Sequence, residues 1–480
     1  MLKRMFSFLL ALTLCLSLAA CGNEPEPGNG TAAAEGTAPE AFESEVSETV
    51  PETKKAEAAE IPTEPQNAEV SEALPETETG EEPEALPEPQ NAEPAYDYVP
   101  EPRETDTLTW NFDAAAGTLF VHGAGAMRDY YGAAPEWEQY RDQIRKVSLD
   151  DGITSVGAYA FYNYPNLAEA RLPDSVEVIG DSAFDYNWAL RTVTIPASLK
   201  YVGSRAFYNT LLWEPSDLVF PEGCEYIGDQ AFHSALKSGG IVSLPSTLKY
   251  LGAQSFTNAW LSDFIVAENN GIYRSENHAI YTKDGKEMRM LAPVAAITGE
   301  FRIPDGVETI SAECFNLIQN IETVTIPASV TEIEEGAFFS TFALKEIVVD
   351  EANPNYRSEN GLLLSKDGKL LLAWPDGMGG SELVIPEGVE RIGAYLFYGH
   401  NDGSFSVVLP ESVKEIGTMS LPGCMTSLTL PAGLEKIDAS VFYNGISVDS
   451  ITYNGTAADW EKITIEDGNA ALDNAAIRMN

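Results

Sequence analysis

Polar and apolar residues alternate over much of the chain in short runs that end at a proline. In the run from Thr192 to Pro196, Thr192 and Thr194 would face one side of a strand, and Val193 and Ile195 the other. Proline has no backbone N–H to donate to a neighbouring strand, so Pro196 ends the run. The pattern predicts a short strand with an apolar inner face and a polar outer face.

The run recurs at a regular spacing. Four successive runs end at Pro173, Pro196, Pro221 and Pro245, which are 23, 25 and 24 residues apart. A period of about 20 to 50 residues indicates stacked supersecondary units rather than one globular core. The predicted strand ends are Asp150, Pro173, Pro196, Pro221, Pro245, Ala267, Pro304, Pro327, Asp350, Pro386, Pro410, Pro431 and Asn454. The sequence therefore predicts a solenoid of about thirteen parallel strands over residues 147–454.

The residues after each strand predict the rest of a coil. After Pro196, Val202 turns inward, Gly203 bends the chain, and the pair Ala206 and Phe207 fills the coil centre. A coil of this kind buries about seven apolar side chains, worth roughly 1.5–3 kcal/mol each. Ordering its residues costs on the order of 1–2 kcal/mol apiece, so neighbouring coils must stabilise each other. Cys224 and Cys314 stand at inward positions of other coils and are predicted to be buried.

Two longer gaps interrupt the period, and they share sequence. The text Tyr-Arg-Ser-Glu-Asn occurs at residues 273–277 and again at 356–360, and Lys-Asp-Gly-Lys occurs at 283–286 and 366–369. Asp-Gly between apolar runs is a strong hairpin signal. We expect an inserted β-hairpin in each gap, either as a binding element or as a lengthened coil. The predicted insertions cover about residues 268–299 and 351–381.

The ends of the solenoid differ from the repeat and predict caps. Residues 107–146 form the expected N-terminal cap, with a hairpin from 108–112 and 118–122 and a short helix from Pro135 to Ile144. Residues 455–480 form the expected C-terminal cap. There Thr456 begins a helix that runs through Trp460, and a last strand follows near Ile463.

The first twenty residues are typical of a secretory signal peptide. Lys3 and Arg4 precede an apolar stretch, residues 6–18, which is too short to span a bilayer. The following Leu-Ala-Ala-Cys is similar to a bacterial lipobox, which predicts that Cys21 carries the lipid. The alternative is an ordinary signal peptide in which Cys21 has no special role. Two acyl chains on this cysteine would give stable anchoring.

Charge separates a second segment from the solenoid. The chain has a formal net charge of −45, and residues 22–106 contribute −21 of it, with 24 acidic residues against Lys54, Lys55 and Arg103. A segment so acidic and so poor in apolar residues is predicted to be disordered and extended. We interpret residues 21–106 as a tether, or else as a spacer with no length requirement. The acidic balance argues against a nucleic-acid partner.

These residues together resemble a known family. The matching text is Leu-Pro-Asp-Ser-Val at 172–176, Ile-Gly-Asp-Ser-Ala-Phe at 179–184 and Ser-Leu-Thr-Leu-Pro at 427–431. It resembles the leucine-rich-repeat surface proteins of the BspA type, over about residues 107–480. The resemblance implies a β-rich α/β solenoid, a right-handed leucine-rich-repeat-like superhelix with short helical turns. It also implies display on a bacterial cell surface and contact with host or bacterial surface proteins, without assigning a ligand.

The sequence predicts a binding protein rather than an enzyme. His122, His233, His278 and His400 have no metal-ligand spacing, and no nucleophile elbow is found, so we expect no metal, cofactor or catalytic residue. We expect a lipid-anchored protein on the outer face of the bacterial membrane that engages another protein through its outward strand positions. These candidate residues are Glu169, Arg171, Thr192, Thr194, Arg302, Thr323, Thr325 and Thr429.

Two alternatives remain open at this stage. One is a glycan-binding or glycan-processing surface lipoprotein, which would need exposed aromatic rings beside paired carboxylates in a groove. The other is an envelope component with no specific ligand. Four tyrosines next to the inward phenylalanines are expected either to pack at the coil edge or to form an exposed aromatic row. They are Tyr162, Tyr208, Tyr398 and Tyr443.

Overall fold

The structure of the chain is a computed structural model. It describes residues 108–212, 216–378, 382–396, 406–422, 424–442, 447–469, 472 and 477–479. The predicted signal peptide, Cys21 and the predicted tether lie outside these residues, as do Tyr398, Tyr443 and His400. Within the described part, no helix combines the length and the apolar character needed to cross a bilayer.

The described strands fall into three blocks of coils separated by two inserts. In the first block, residues 108–266, the strands are β1 (Thr109–Asp113), β2 (Thr118–His122), β3 (Gly125–Ala126), β4 (Lys146–Leu149), β5 (Ile153–Val156), β6 (Glu169–Arg171), β7 (Val178–Ile179), β8 (Thr192–Val193), β9 (Tyr201–Val202), β10 (Leu218–Val219), β11 (Tyr226–Ile227), β12 (Ile241–Leu244), β13 (Tyr250–Leu251) and β14 (Asp263–Val266).

The first insert, residues 267–292, and the second block, residues 293–349, follow in the chain. The strands of the insert are β15 (Tyr273–Glu276), β16 (Ala279–Thr282) and β17 (Glu287–Leu291). The strands of the second block are β18 (Gly299–Arg302), β19 (Thr309–Ile310), β20 (Ile321–Ile326), β21 (Glu332–Ile333) and β22 (Glu346–Val349).

The second insert, residues 350–375, and the third block, residues 376–479, complete the fold. The strands of the insert are β23 (Tyr356–Glu359), β24 (Leu362–Ser365) and β25 (Leu370–Ala373). The strands of the third block are β26 (Glu382–Val384), β27 (Arg391–Ile392), β28 (Ser406–Val408), β29 (Glu415–Ile416), β30 (Cys424–Leu430), β31 (Lys436–Ile437), β32 (Ser447–Tyr453), β33 (Thr464–Ile465) and β34 (Ile477–Met479).

Each coil contributes one strand to each of two parallel ladders. The first ladder contains all thirteen predicted strands, for example in the order β2-β4-β6-β8 and, in the third block, β26-β28-β30-β32. This result confirms the predicted β-solenoid. The second ladder, with the order β13-β11-β9-β7-β5-β3 in the first block, was not predicted. Its strands have only two to four residues in that block, too few to show an alternating pattern.

The third side of each coil differs from the short helical turns that the sequence predicts. Between Gly180 and Asn187, Ser182 and Tyr186 have φ values of 50° and 61°, in the left-handed region. Their N–H groups and that of Phe184 donate to carbonyls of the next coil at 2.8–2.9 Å rather than to the preceding turn. The turns are non-helical because these backbone groups hold neighbouring coils together.

Stacked phenylalanines fill the coil centres, as the sequence predicts. Phe161, Phe184, Phe207, Phe232 and Phe256 are buried, and successive ring centroids lie 5.0–5.5 Å apart. Offset stacking of this kind adds to the free energy gained by burial. The predicted burial of the two inward cysteines is also confirmed, for Cys224 and Cys314 alike.

Glycine is required where neighbouring coils come closest. A Cβ atom on Gly203 would lie 2.5 Å from the backbone nitrogen of Asp181 in the preceding coil, and one on Gly252 would lie 2.3 Å from that of Asp229. These glycines precede the left-handed turn in their coils. Their missing side chains let the backbones stack at the corner between the second ladder and the turns.

The two predicted hairpins form, and each continues into a third antiparallel strand. β16 pairs with β15 and β17, and β24 pairs with β23 and β25. The last strand of each insert then pairs in parallel with the second ladder of the next block, β17 with β19 and β25 with β27. Each insert therefore starts a new second ladder.

The middle strand of each insert is buried on both faces. Ile280 packs into the apolar core before the first insert, whereas Ala279 and Tyr281 pack into the core after it. Leu363 and Leu364 divide in the same way between the cores before and after the second insert. Of the two roles left open for the hairpins, this burial favours a structural one, since each middle strand forms a wall between two core clusters.

The caps agree with the sequence at the hairpin and at the C-terminal helix. β1 and β2 pair antiparallel, and β2 pairs with β4 to start the first ladder. Thr456 caps α1 (Ala457–Trp460) through a capping box with Asp459. The predicted helix from Pro135 to Ile144 is wrong, because only a 3-10 turn, Glu138–Tyr140, forms there. Trp137 instead packs against Tyr130 and Phe161 in the core.

Candidate interaction surface on the first ladder

The outward side chains of the first ladder form two aligned rows. The proximal row stands two positions before each strand end, and the distal row stands four positions before it. The proximal row contains Ser148, Arg171, Thr194, Val219, Ser243, Ile265, Arg302, Thr325, Val348, Val384, Val408, Thr429 and Thr452. Among the side chains that the structure describes, the distal row contains Lys146, Glu169, Thr192, Asp217, Ile241, Asp263, Glu300, Thr323, Glu346, Ser406, Ser427 and Ser450. Buried positions alternate with these rows, so both rows face outward.

The predicted partner-binding residues all lie in these rows. Arg171, Thr194, Arg302, Thr325 and Thr429 belong to the proximal row. The remaining three, Glu169, Thr192 and Thr323, belong to the distal row. They do not form one cluster, because they belong to the first, second and third blocks.

Direct neighbours among the predicted residues are found within two sheets. Glu169 lies in register beside Thr192 on the adjacent strand, and Arg302 lies in register beside Thr325. Thr429 lies between Val408 and Thr452 in the third block. The structure therefore divides the predicted site into separate patches along the solenoid.

Most polar groups of the predicted residues already have partners within the sheets. The Thr194 hydroxyl donates to the Leu172 carbonyl at 2.8 Å and accepts from the Leu172 N–H at 2.7 Å. The hydroxyls of Thr325 and Thr323 donate to glutamates at 2.9 and 3.1 Å. An exposed ion pair such as Glu169 with Lys146, at 2.6 Å, adds little to stability. These polar groups therefore already make hydrogen bonds between neighbouring strands in the absence of a partner.

Exposed β-branched residues are the feature of this surface that the sequence prediction missed. Val219, Ile265, Val348, Val384 and Val408 have exposed fractions of 57%, 48%, 40%, 67% and 42%. All five occupy the proximal row, in which Val384 and Val408 are direct neighbours. The missed signal is an apolar residue two positions before a strand end, where the repeat usually places threonine, serine or arginine.

Of the four tyrosines beside the inward phenylalanines, the two that the structure describes, Tyr162 and Tyr208, do not form an exposed row. Tyr208 is buried, and its ring stacks on His233 with centroids 4.8 Å apart. Tyr162 is half-buried and packs edge-on against Tyr186 at 6.0 Å. Tyr208 therefore has the predicted role in coil packing, whereas Tyr162 is only partly exposed.

Two buried ionisable side chains of the coils, His233 and Cys224, stay neutral. Burial lowers the pKa of His233 to about 3 and raises that of the Cys224 thiol to about 12, so neither group ionises near neutral pH. The described residues contain no cluster of three or more His, Cys, Asp or Glu side chains positioned to hold a metal ion.

An open depression of about 340 Å³ lies beside β25, β27 and β29 in the second ladder. Glu390 in this depression accepts hydrogen bonds from Lys369 at 2.8 Å and from Lys414 at 3.0 Å. The bond from Lys369, followed by that from Lys414, lowers the pKa of the Glu390 carboxyl. The carboxylate therefore stays ionised and paired, which is unsuited to general acid catalysis.

Comparisons with known proteins agree with this geometry. A sequence profile of the BspA type leucine-rich repeat region matches the chain in six copies, over residues 139–237, 296–360 and 379–469. No curated protein sequence matches the chain. A leucine-rich repeat protein from Eubacterium ventriosum shares 24% identity, with 73% of this chain and 92% of that chain covered and a TM-score of 0.50. At this identity the likeness shows the fold alone.

Two further solved structures are similar over a comparable length. A leucine rich cell surface protein from Faecalibacterium prausnitzii shares 18% identity over 75% of this chain and 97% of its own, with a TM-score of 0.36. A leucine-rich repeat protein from Bacteroides ovatus also shares 18% identity, over 78% of this chain and 100% of its own, with a TM-score of 0.36.

Proposed function

The chain belongs to the family of proteins with a BspA type leucine-rich repeat region, and we propose from this that it is a non-enzymatic binding protein of the bacterial cell surface. Its ligand is another protein, of host or bacterial origin, that docks on the outward face of the first ladder. Solenoids of stacked repeats commonly bind partners along such extended surfaces.

The observation that carries the proposal is the exposed apolar character of the proximal row. β-Branched side chains on the strand face of a soluble protein lose contact with water only when a partner covers them. Here they stand in register between polar side chains, for example Val219 beside Ser243 and then Ile265. Apolar side chains interspersed with polar ones give a mixed surface, and protein interfaces likewise combine apolar and polar contacts.

The predicted anchor completes the proposal. Lipid on Cys21 would hold the protein at the outer face of the cell membrane, and the acidic residues 21–106 would carry the solenoid away from it. Fully extended, a segment of that length spans roughly 280 Å. Replacing Cys21 by serine is expected to abolish incorporation of labelled fatty acid and to move the protein from the membrane to the soluble fraction. Continued labelling of the variant would exclude Cys21 as the lipid site.

The test of the binding surface compares two isoleucines. Ile265 is 48% exposed in the proximal row, and Ile272 is 36% exposed in the turn of the first insert. The full-length protein and the variants Ile265→Ser and Ile272→Ser are used to capture partners from host extracellular and bacterial surface fractions. The identified partner is then titrated against each purified protein.

We expect Ile265→Ser to weaken partner binding about tenfold, because a buried apolar contact with the partner is lost. Ile272→Ser is expected to leave the affinity unchanged. Equal affinities for the two variants would refute the assignment to the proximal row. Circular dichroism of both variants serves as the control for folding.

A further inference from the structure

A stack of tyrosines covers the outward side of the second ladder in the first block. Tyr201, Tyr226 and Tyr250 lie in register on β9, β11 and β13. Their ring centroids are 4.4 and 4.6 Å apart, with interplanar angles of 7° and 10°. The three rings form one continuous stack, in which Tyr201 is buried and Tyr226 and Tyr250 are half-buried, and which we call the tyrosine ladder.

Two exposed tyrosines lie at the corner of the same block. The hydroxyl of Tyr131, in the N-terminal cap, donates to the carboxylate of Asp181 at 3.1 Å, and its ring packs edge-on against Tyr159 at 5.5 Å. Tyr131 is 59% exposed and Tyr159 is 36% exposed. Large aromatic side chains that stay in contact with water while held by defined partners are common at binding surfaces.

Carboxylates without cationic partners border this aromatic surface. Asp229 accepts the Ala253 N–H at 3.0 Å and the Tyr250 hydroxyl at 2.8 Å, and Asp181 accepts the Ser204 N–H at 2.9 Å. Neither carboxylate has a Lys, Arg or His nitrogen within 4 Å in the described part of the chain.

The neighbouring acids on the same ladder are neutralised. Glu177 pairs with Lys200 and Glu225 pairs with Lys249, each at 2.9 Å. Within the described residues of the first block, therefore, Glu177 and Glu225 each have a lysine partner, whereas Asp181 and Asp229 do not. Burial is the main cause that raises the pKa of the Asp181 carboxyl, and an added cation would favour its charged form.

The chain itself shows how a cation fits between these two kinds of group. The Arg205 guanidinium lies 3.9 Å from the centroid of the Tyr208 ring, and its Nε donates to Asp185 at 3.0 Å. A planar guanidinium can stack on an aromatic ring while it donates to a carboxylate, which an ammonium does less well. Two neighbouring coils thus contain a carboxylate, a guanidinium and a tyrosine ring together, whereas the two aspartates of the outward face lack a guanidinium partner in the part of the chain that the structure describes.

We propose that Tyr131, Tyr159, Tyr250, Asp181 and Asp229 form a docking face for an arginine-rich segment of a protein partner. The guanidinium groups stack on the tyrosine rings and donate to the two carboxylates. The charge of the protein, −45, favours the approach of a basic segment and disfavours an acidic one. This face is separate from the proximal row, so it goes beyond the function proposed above and can fail without it.

The test uses the full-length protein with fluorotyrosine in place of tyrosine, and tetra-arginine as the probe. The resonances of Tyr131 and Tyr250 are assigned with the variants Tyr131→Phe and Tyr250→Phe. Fluorine NMR then reports binding at these rings, which separates it from binding of the basic probe to the acidic residues 21–106. The same titration is repeated with a neutral oligosaccharide.

We expect tetra-arginine to shift both resonances and high salt to reverse the shifts. Asp229→Asn keeps an oxygen acceptor for Ala253 and should weaken the affinity about three- to tenfold, as should Tyr131→Ala. Asp151→Asn removes one charge from an exposed residue elsewhere in the block and is the matched control, with less than about a twofold effect.

Three results would overturn the proposal. The first is that the two resonances stay unmoved while tetra-arginine binds the protein. The second is that Asp151→Asn weakens binding as much as Asp229→Asn does. The third is that the oligosaccharide shifts the resonances and tetra-arginine does not, which would assign the face to a glycan.

Discussion

The two inserts share the hydrogen bonds that hold them to the preceding coil, which we call the frame, but they differ in several other side chains. In each, a buried asparagine, Asn270 or Asn353, donates to two carbonyls of the preceding coil and accepts two N–H groups of its own turn, at 2.8–3.0 Å. In each, a tyrosine hydroxyl accepts the N–H of the last residue of the preceding second ladder. Tyr273 accepts from Leu251 at 3.0 Å and Tyr356 from Ile333 at 2.9 Å.

The inserts differ at three side chains, one of which, Arg289, also donates to the Leu251 carbonyl at 3.0 Å. In the first insert the Arg274 guanidinium lies 4.9 Å from the centroid of the Tyr281 ring, and Arg289 pairs with Glu287 at 3.2 Å. Leucine stands at three equivalent positions of the second insert, Leu364, Leu372 and Leu370. The asparagine and the tyrosine that bond backbone groups of the preceding coil are repeated in both inserts, whereas the side chains at these three positions have changed.

The largest expected effect comes from the two buried asparagines. Asn270→Ala and Asn353→Ala each leave two carbonyls and two N–H groups without their partner, at a cost of about 3–5 kcal/mol. Chemical denaturation followed by circular dichroism measures this loss. Asn269→Ala is the matched control, because Asn269 is exposed beside Asn270. A control variant as unstable as Asn270→Ala would show that the side-chain hydrogen bonds do not hold the frame.

The second prediction concerns the two faces of β24, the middle strand of the second insert. Leu363 and Leu364 are adjacent and fully buried, but they face the core before and the core after the second insert. Each change to alanine should cost about 2–4 kcal/mol through the cavity it leaves. Hydrogen exchange should increase mainly in residues 301–349 for Leu363→Ala and mainly in residues 385–472 for Leu364→Ala. The same exchange pattern in both variants would contradict a dividing wall.

How far the sequence predicts these features depends on the length of the local pattern. The strands of the first ladder and the Asp-Gly hairpins follow from alternation and turn chemistry, so their places are predictable. The burial of Ala279, Ile280 and Tyr281 on both faces is not, because such a short run reads as an ordinary strand until its neighbours are known. The left-handed conformation of Arg205 and Gln230 is imposed by the coils on either side and has no local signal.

The same limit applies to the candidate site. The outward rows follow from the position of each strand end, which is why the predicted residues fall into them. Their division into patches depends on the interruptions of the ladder, which require the register of the inserts. The tyrosine ladder brings together Tyr201, Tyr226 and Tyr250 from three coils, so it becomes visible only when the coils are stacked in register.

The third prediction is a change of stability with pH, of intermediate size. It arises because the turns on either side of the first insert make a contact that differs from the one beside the second insert. Across the first insert, Gln254 donates to the Glu313 carboxyl at 2.7 Å, whereas the Tyr395 ring packs over Gly336 beside the second insert. Burial raises the pKa of Glu313 from 4.5 to about 7. A raised carboxyl pKa stabilises the folded state below pH 4.5, and this contribution is lost as the pH rises through about 7.

Glu313→Gln is expected to remove this loss, so that its stability changes less than that of the unmodified protein between these two pH values. Denaturation midpoints measured at several pH values test the difference. Glu300→Gln, on the exposed first ladder, is the control and should follow the unmodified protein. Parallel pH profiles for Glu313→Gln and the unmodified protein would show that Glu313 titrates normally.

The smallest expected effect distinguishes two tyrosine hydroxyls that accept a hydrogen bond from a third that makes none among the described residues. Tyr273→Phe and Tyr356→Phe remove the acceptors for Leu251 and Ile333, and each should cost about 1 kcal/mol. The hydroxyl of Tyr281 is buried and, within the described residues, has no hydrogen-bond partner. Tyr281→Phe should therefore leave stability unchanged or raise it slightly, since an unpaired buried polar group is removed. Thermal denaturation of the three variants tests this difference: a loss for Tyr281→Phe equal to that of the other two would show that the Tyr281 hydroxyl also stabilises the folded state.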